Sequence, residues 1–133
     1  MKTWPSAILG VISLATAGTA GKTPSPTAVF DFSFDDTSLE GEKNGPRLDE
    51  QKRLAALNIQ LGDILEKSGC CQVERPPARE TENLNIQTCN GCDLDIARKL
   101  GATISVIGWV QKISNLILNI NVVARNVSTG QVI

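Results

Sequence analysis

Apolar residues recur every three or four positions in one long segment, and this is the clearest helical pattern in the chain. The segment covers residues 49–67, and its apolar positions are Leu54, Leu57, Leu61, Ile64 and Leu65. That spacing places them along one side of an α-helix. Gly69 follows as a left-handed terminator. A second, shorter helix is predicted over residues 92–100 and is closed by Gly101.

Alternation of apolar and polar positions predicts the strands. Residues 28–34 alternate and are rich in aromatic and branched side chains, which favours a first strand. Residues 70–74 are predicted as a short strand that returns beside the first and completes a strand, helix, strand crossover. Residues 103–112 and 116–126 also alternate, and the turn between them makes a hairpin.

These elements predict one α/β (α+β) domain over residues 28–133. Its mixed sheet has about four to five strands, with two helices on one face. Residues 35–47 and 75–83 contain turn-forming residues without periodicity, so we expect loops there. Residues 131–133 begin another strand pattern that stops at the end of the chain, and a C-terminally truncated domain is therefore one expectation.

The first twenty residues have the composition of a signal peptide. A basic start is followed by a short apolar run over residues 7–17 and then by small residues, which is typical of a cleaved export signal. The alternative is a membrane anchor, but the run is shorter than the roughly 20 residues that a span needs. We expect residues 1–20 to be removed, residues 21–27 to form a flexible lead-in, and the protein to be periplasmic or secreted by a bacterium.

Composition narrows the function classes. The chain has 133 residues, a formal charge of -1, no His and no Tyr. No stretch gathers basic residues, which argues against nucleic acid as a partner. The lack of His removes the commonest general base and metal ligand. We therefore expect a non-enzyme without a cofactor or a metal site.

Four cysteines form the cluster with the most chemical promise: Cys70, Cys71, Cys89 and Cys92. In an oxidising compartment they are first interpreted as disulfides, and three pairings stay open. A second hypothesis is thiol exchange, because Cys-x-x-Cys at a helix start lowers a thiol pKa, with Cys89 attacking and Cys92 resolving. A third is a four-thiolate zinc site.

Two further features allow a functional and a structural interpretation. Trp109 could anchor a partner, although a Trp on a half-buried sheet is more often part of the core. Five carboxylates near the first loop could hold calcium or act as paired acids, although a solvated loop fits the spacing better. They are Asp31, Asp35, Asp36, Glu40 and Glu42.

Several motifs carry a family resemblance. Residues 93–110, the alternating segment 116–121 and the Thr129-Gly130 turn resemble the helix, strand and hairpin of the amino-terminal domain of the periplasmic protein TolB. Residues 89–93 and 108–112 are similar to a family of small secreted bacterial proteins with no assigned function. This resemblance implies the fold and the compartment but no catalytic residues. It also implies a further strand and helix after the Thr-Gly turn, which this sequence lacks.

The function expected from these patterns is a non-enzymatic periplasmic binding or envelope-assembly module. Its partner would be another envelope protein, contacted through a sheet edge or the region of Trp109. No integral membrane span is expected after removal of the signal. The alternative is a thiol-disulfide active or thiolate metal-binding protein that uses Cys89 and Cys92.

Overall fold

The computed structural model describes residues 21–133, which form a mixed sheet with helices packed against it. The strands are β1 (Ser25–Val29), β2 (Ser33–Asp36), β3 (Cys71–Glu74), β4 (Ile104–Ser114) and β5 (Ile117–Asn126). The helices are α1 (Leu39–Asn44), α2 (Leu48–Lys67), α3 (Ala78–Thr81) and α4 (Cys92–Lys99). The α+β class and the mixed sheet are confirmed. The predicted signal peptide, residues 1–20, lies outside the described residues.

Strand β4 is the centre of the sheet. On one side it pairs in parallel with β1 and, further along, with β2. On the other side it pairs antiparallel with β5. Strand β3 adds in parallel to the outer edge of β1, which confirms the predicted crossover. Four consecutive residues of β4, 105–108, are buried, as expected of a strand that is covered on both faces.

The two longer helices lie on opposite faces of this sheet. Ser105 of β4 donates a hydrogen bond to Asp93 of α4, whereas Lys112 of β4 forms an ion pair with Glu50 of α2. Residues separated by an odd number along a strand point to opposite faces. The expectation of two helices on one face is therefore wrong. Ile107, next to Val106, is buried as well, so β4 needs a helix on each side.

The first predicted strand, residues 28–34, is interrupted. Val29 pairs with Val106, and Ser33 pairs with Trp109. The chain therefore advances four residues from Val29 to Ser33 while β4 advances three residues. The extra residue acts as a bulge and reverses the direction of the side chains that follow it. The Phe32 amide leaves the ladder and donates to the Asn58 side chain of α2, at 2.8 Å. That bond satisfies a backbone donor that would otherwise be unpaired.

The ordered sheet begins inside the segment that was expected to be a flexible lead-in. Strand β1 starts at Ser25, whose amide donates to the Cys70 carbonyl at 3.0 Å. The Pro26 carbonyl accepts from the Thr103 amide at 2.8 Å, and Thr27 is fully buried. Proline is tolerated here because it stands at the beginning of the strand.

Helices α1 and α3 occupy the segments predicted as loops, 35–47 and 75–83. Neither helix has a buried residue, so neither produces an apolar period in the sequence. Ser38 begins α1 by accepting a hydrogen bond from the Gly41 amide at 3.1 Å. Pro77 precedes α3, in keeping with the preference for proline at helix starts.

Gly108 lies where the Phe32 ring crosses the sheet. A Cβ at Gly108 would clash with three atoms of that ring. We predict that Gly108→Ala lowers the free energy of unfolding by about 2 kcal/mol, because the ring must move in a packed interior. Urea unfolding measures this change. Gly21→Ala is the control, since nothing lies within 4 Å of its Cβ position. Equal effects in the two variants would contradict the packing described here.

Candidate functional site

An open apolar groove runs between α2 and the hairpin of β4 and β5, and we call it the hairpin groove. Its volume is about 570 Å³. The larger apolar side chains that line it are Phe34, Leu54, Leu57, Val110, Leu118 and Ile120. Leu118 is 54% exposed and Ile120 is 61% exposed, so the β5 side of the groove faces solvent. Its volume is about three times that of the cavity of about 190 Å³ beside Trp109 on the other face of the sheet.

The outer edge of β5 adjoins this groove. One edge of β5 bonds to β4, and along the other edge the described part of the chain contributes a single bridge, between Arg125 and Val132. The Ile133 amide continues this contact by donating to the Ala124 carbonyl at 3.0 Å. The turn before β5 and the strand as far as Ala124, residues 115–124, contain no charged residue and no proline. Edge strands normally carry such residues to prevent pairing, so this edge is able to accept another strand.

A buried lysine lies at one end of the hairpin groove. The Nζ atom of Lys112 is 2.7 Å from Glu50 Oε1, 3.4 Å from Glu40 Oε2 and 3.6 Å from Asp36 Oδ2. The Lys112 side chain is only 3% exposed. One ammonium group thus joins three carboxylates from β2, α1 and α2. The expectation that Asp36 and Glu40 lie in a solvated loop is therefore wrong, because Lys112 draws both carboxylates against the sheet.

The cluster shifts the pKa values of its members. Hydrogen bonds donated by the Ser38 hydroxyl and the Ser38 amide lower the pKa of Asp36, and the charge of Lys112 lowers it further. The hydrogen bond to Glu50 raises the pKa of Lys112, with smaller contributions from Glu40 and Asp36. Both charged forms are therefore stabilised, which suits a structural role better than proton transfer near neutral pH.

A second buried ion pair holds α4 against the other face. The Asp93 carboxylate is fully buried, accepts from the Ser105 hydroxyl at 2.7 Å and pairs with the Arg125 guanidinium. Asp93 lies in the first turn of α4, where the helix dipole favours a negative charge. The pair fixes the helix to both β4 and β5. Sequence reasoning missed it, because an Asp beside the Cys-x-x-Cys spacing gives no sign of burial.

The four cysteines are not gathered into one site. The structure joins the sulfur atoms of Cys89 and Cys92 at the start of α4, where the Cα atoms are 5.6 Å apart. Cys70 and Cys71 lie at the start of β3 with free thiols. The local pairing is thus one of the three that the sequence left open. Within residues 21–133 there is no group of three or more Cys, Asp or Glu side chains placed to hold a metal ion.

Trp109 is half-buried and lies on the α4 side of the sheet, away from the hairpin groove. It lines a small cavity of about 190 Å³ together with Phe30, Thr81, Ile86 and Ile107. A partner bound in the hairpin groove would not touch it. The role of Trp109 as a partner anchor stays a prediction.

The fold and its surfaces define a class of small α+β domains with a mixed five-stranded sheet. The chain belongs to the DUF3280 family, described as "Protein of unknown function (DUF2380)", and the match covers residues 25–133. The predicted membership in a family without an assigned function is therefore confirmed. No curated protein matches the sequence significantly.

Solved structures with a similar fold include two LpoB C-terminal domains. The domain from Salmonella enterica is 15% identical with a TM-score of 0.58, covering 86% of this chain and 81% of that one. The domain from Escherichia coli is 18% identical with a TM-score of 0.57, covering 84% and 78%. The fold is thus similar to that of LpoB domains, whereas the expected likeness was to the amino-terminal domain of TolB. At these identities it shows the fold alone.

A third similar structure is a dodecamer of a PelC variant from Paraburkholderia phytofirmans. It is 16% identical with a TM-score of 0.51, and the match covers 88% of this chain and 71% of that one. No helix within residues 21–133 has both the length and the apolar character needed to cross a membrane.

The Lys112 cluster predicts how stability depends on pH. Because the folded pKa of Asp36 is below its ordinary value of 3.8, its contribution is complete above that pH and is lost as pH falls through the folded pKa. Because the folded pKa of Lys112 is above 10.5, its contribution is complete below that pH and is lost as pH rises through the folded pKa.

Urea unfolding of the wild type and of Asp36→Asn across acid pH measures the first effect. We expect the wild type to lose its advantage over the variant below about pH 3.8, the ordinary value for the carboxyl group. Asp35→Asn is the matched control, since Asp35 is exposed and outside the cluster. If Asp35→Asn reproduces the effect of Asp36→Asn, the cluster does not act as described.

Proposed function

We propose that this protein is an exported, non-enzymatic binding or assembly module of the bacterial cell envelope. In this proposal it binds another envelope protein through the hairpin groove and the free edge of β5. The observation that carries the proposal is the long uncharged edge strand beside an open apolar surface. Exposed apolar surfaces of this kind are typical of interaction sites.

The geometry favours an extended segment as the bound element. Leu118, Ile120 and Val122 are each more than half exposed and point to the same face of β5. A partner strand on the outer edge would gain main-chain hydrogen bonds from β5. Its alternate side chains would extend the apolar face over the groove, as in β-strand addition.

The polar groups of the fold support a binding role over catalysis. The carboxylates of Asp36, Glu40 and Glu50 surround Lys112, and Asp93 pairs with Arg125. These groups are paired with one another, including Glu50 and Lys112, which lie at one end of the hairpin groove. The chain also has no His to act as a general base near neutral pH.

The envelope location rests on the composition of residues 1–20, which is that of an export signal. The LpoB and PelC structures have a similar fold, and this likeness does not identify a partner. PelC is a dodecamer in the matched structure, so in that protein the fold assembles with copies of itself. Self-association of this protein through the outer edge of β5 is therefore an outcome that the test must distinguish from binding to a different protein.

Photo-crosslinking in intact cells tests the proposal. A crosslinker placed at Ile120 should capture a defined envelope protein, and a crosslinker at Lys99, exposed on the opposite side of the sheet, should not. Val122→Lys should reduce the capture at Ile120 about tenfold, because it places a charge in an apolar contact.

The matched control is Asn121→Lys, which adds the same charge to β5 on the opposite face of the strand. It should leave most of the capture intact. Equal capture at Ile120 and Lys99 would contradict the proposed surface. A crosslinked dimer of the chain itself, with no other protein, would replace the proposed partner by a second copy.

A further inference from the structure

The vicinal thiols Cys70 and Cys71 stand apart from the hairpin groove. Cys70 lies between α2 and the edge strand β3, and Cys71 is the first residue of β3. The two sulfur atoms are 2.7 Å apart. Cys70 is exposed and Cys71 is partly buried, so an external reagent reaches Cys70 first. Because Cys89 and Cys92 are bonded to each other, the nearest partner for each of these thiols is its neighbour.

The surroundings distinguish the two thiols. Hydrogen bonds from Cys71 and from the Ser68 hydroxyl, 2.9 Å away, lower the pKa of Cys70. Burial raises the pKa of Cys71, and its contact with Cys70 raises it further. A thiolate is the attacking species in thiol exchange. The exposed sulfur is thus also the more reactive one.

We propose that Cys70 and Cys71 form a two-thiol exchange site that transfers two electrons to an external disulfide. The Cys70 thiolate attacks one sulfur of that disulfide, forms a mixed disulfide and releases the first thiolate of the substrate. The Cys71 thiol gives its proton to that released thiolate, and its sulfur attacks the Cys70 sulfur. The Cys70–Cys71 bond forms, the mixed disulfide bond breaks, and the second thiolate leaves and takes a proton from water. The external disulfide is reduced to two thiols, and the pair is oxidised by the same two electrons.

The position on the sheet gives the reaction a local consequence. Adjacent Cα atoms across a trans peptide are about 3.8 Å apart, which is shorter than the usual separation in disulfides, so closing the ring displaces the backbone. The Cys70 carbonyl accepts the Ser25 amide, and Ser25 pairs with Cys71 in the β1–β3 ladder. Oxidation of the pair therefore weakens the backbone pairing between the start of β1 and the start of β3.

Reaction with oxidised glutathione tests the site in the full protein as purified from expressing cells. After mild reduction and addition of the reagent, samples are digested with trypsin and analysed by mass spectrometry. Cleavage after Lys67 and Arg79 separates Cys70 and Cys71, on residues 68–79, from Cys89 and Cys92, on residues 80–98. The wild type should give an internal disulfide in peptide 68–79 with no stable glutathione adduct.

Single variants separate the two steps. Cys71→Ser should retain one glutathione on Cys70, since no thiol remains to displace it. Cys70→Ser should react about tenfold more slowly, because only the partly buried thiol is left. Ser68→Ala keeps both thiols and should slow the first step without changing the product. Circular dichroism checks that each variant is folded.

Three outcomes would overturn the proposal. They are a lasting glutathione adduct on the wild-type pair, a disulfide between peptides 68–79 and 80–98, and an unreactive pair in the folded protein. The experiment does not involve the hairpin groove, so its result is independent of the proposed envelope partner.

Discussion

Strand β4 is the element on which the rest of the structure depends, because it must be covered on both faces and on both edges. Two parallel strands and one antiparallel strand complete its edges. Consecutive apolar residues, with Val106 and Ile107 both buried, require packing on each side of the sheet. Helix α4 covers one face and α2 partly covers the other. The open part of the α2 face is the hairpin groove.

The two faces are fixed by different polar anchors. On the α4 side, the buried carboxylate of Asp93 connects the helix to β4 and β5. On the α2 side, Lys112 draws carboxylates from three separate elements to the end of β4. A buried charge that loses its partner is costly, so each anchor specifies one arrangement of its helix. These anchors hold the scaffold. Within residues 21–133, only the segment 131–133 bonds to the outer edge of β5.

The local elements could be predicted from the sequence, but their arrangement could not. Helix α2 and the hairpin have strong periodicity, and Gly69 and Gly101 both adopt the left-handed conformation expected of helix terminators. The interruption after Val29 was not predictable, because a bulge leaves the apolar alternation unchanged while it reverses the faces. Helices α1 and α3 bury nothing and so leave no pattern.

Some of the candidate sites could also be predicted from the sequence, and others could not. The cysteines and the uncharged residues 115–124 can be recognised in the sequence. The clusters around Lys112 and Asp93 cannot, because their members are far apart along the chain. Composition indicated a non-enzymatic role. The exposed groove and the division of the cysteines into a bonded pair and a free pair needed the three-dimensional structure.

Native-state hydrogen exchange of the purified protein tests the central claim, that β4 is enclosed while the outer edge of β5 is open. The amides of residues 105–110 should exchange most slowly, through global unfolding. Between Ile117 and Val123, the alternate amides that do not bond to β4 should exchange far faster. Protection of those outer amides equal to that of β4 would show that the edge is already occupied and would contradict the account.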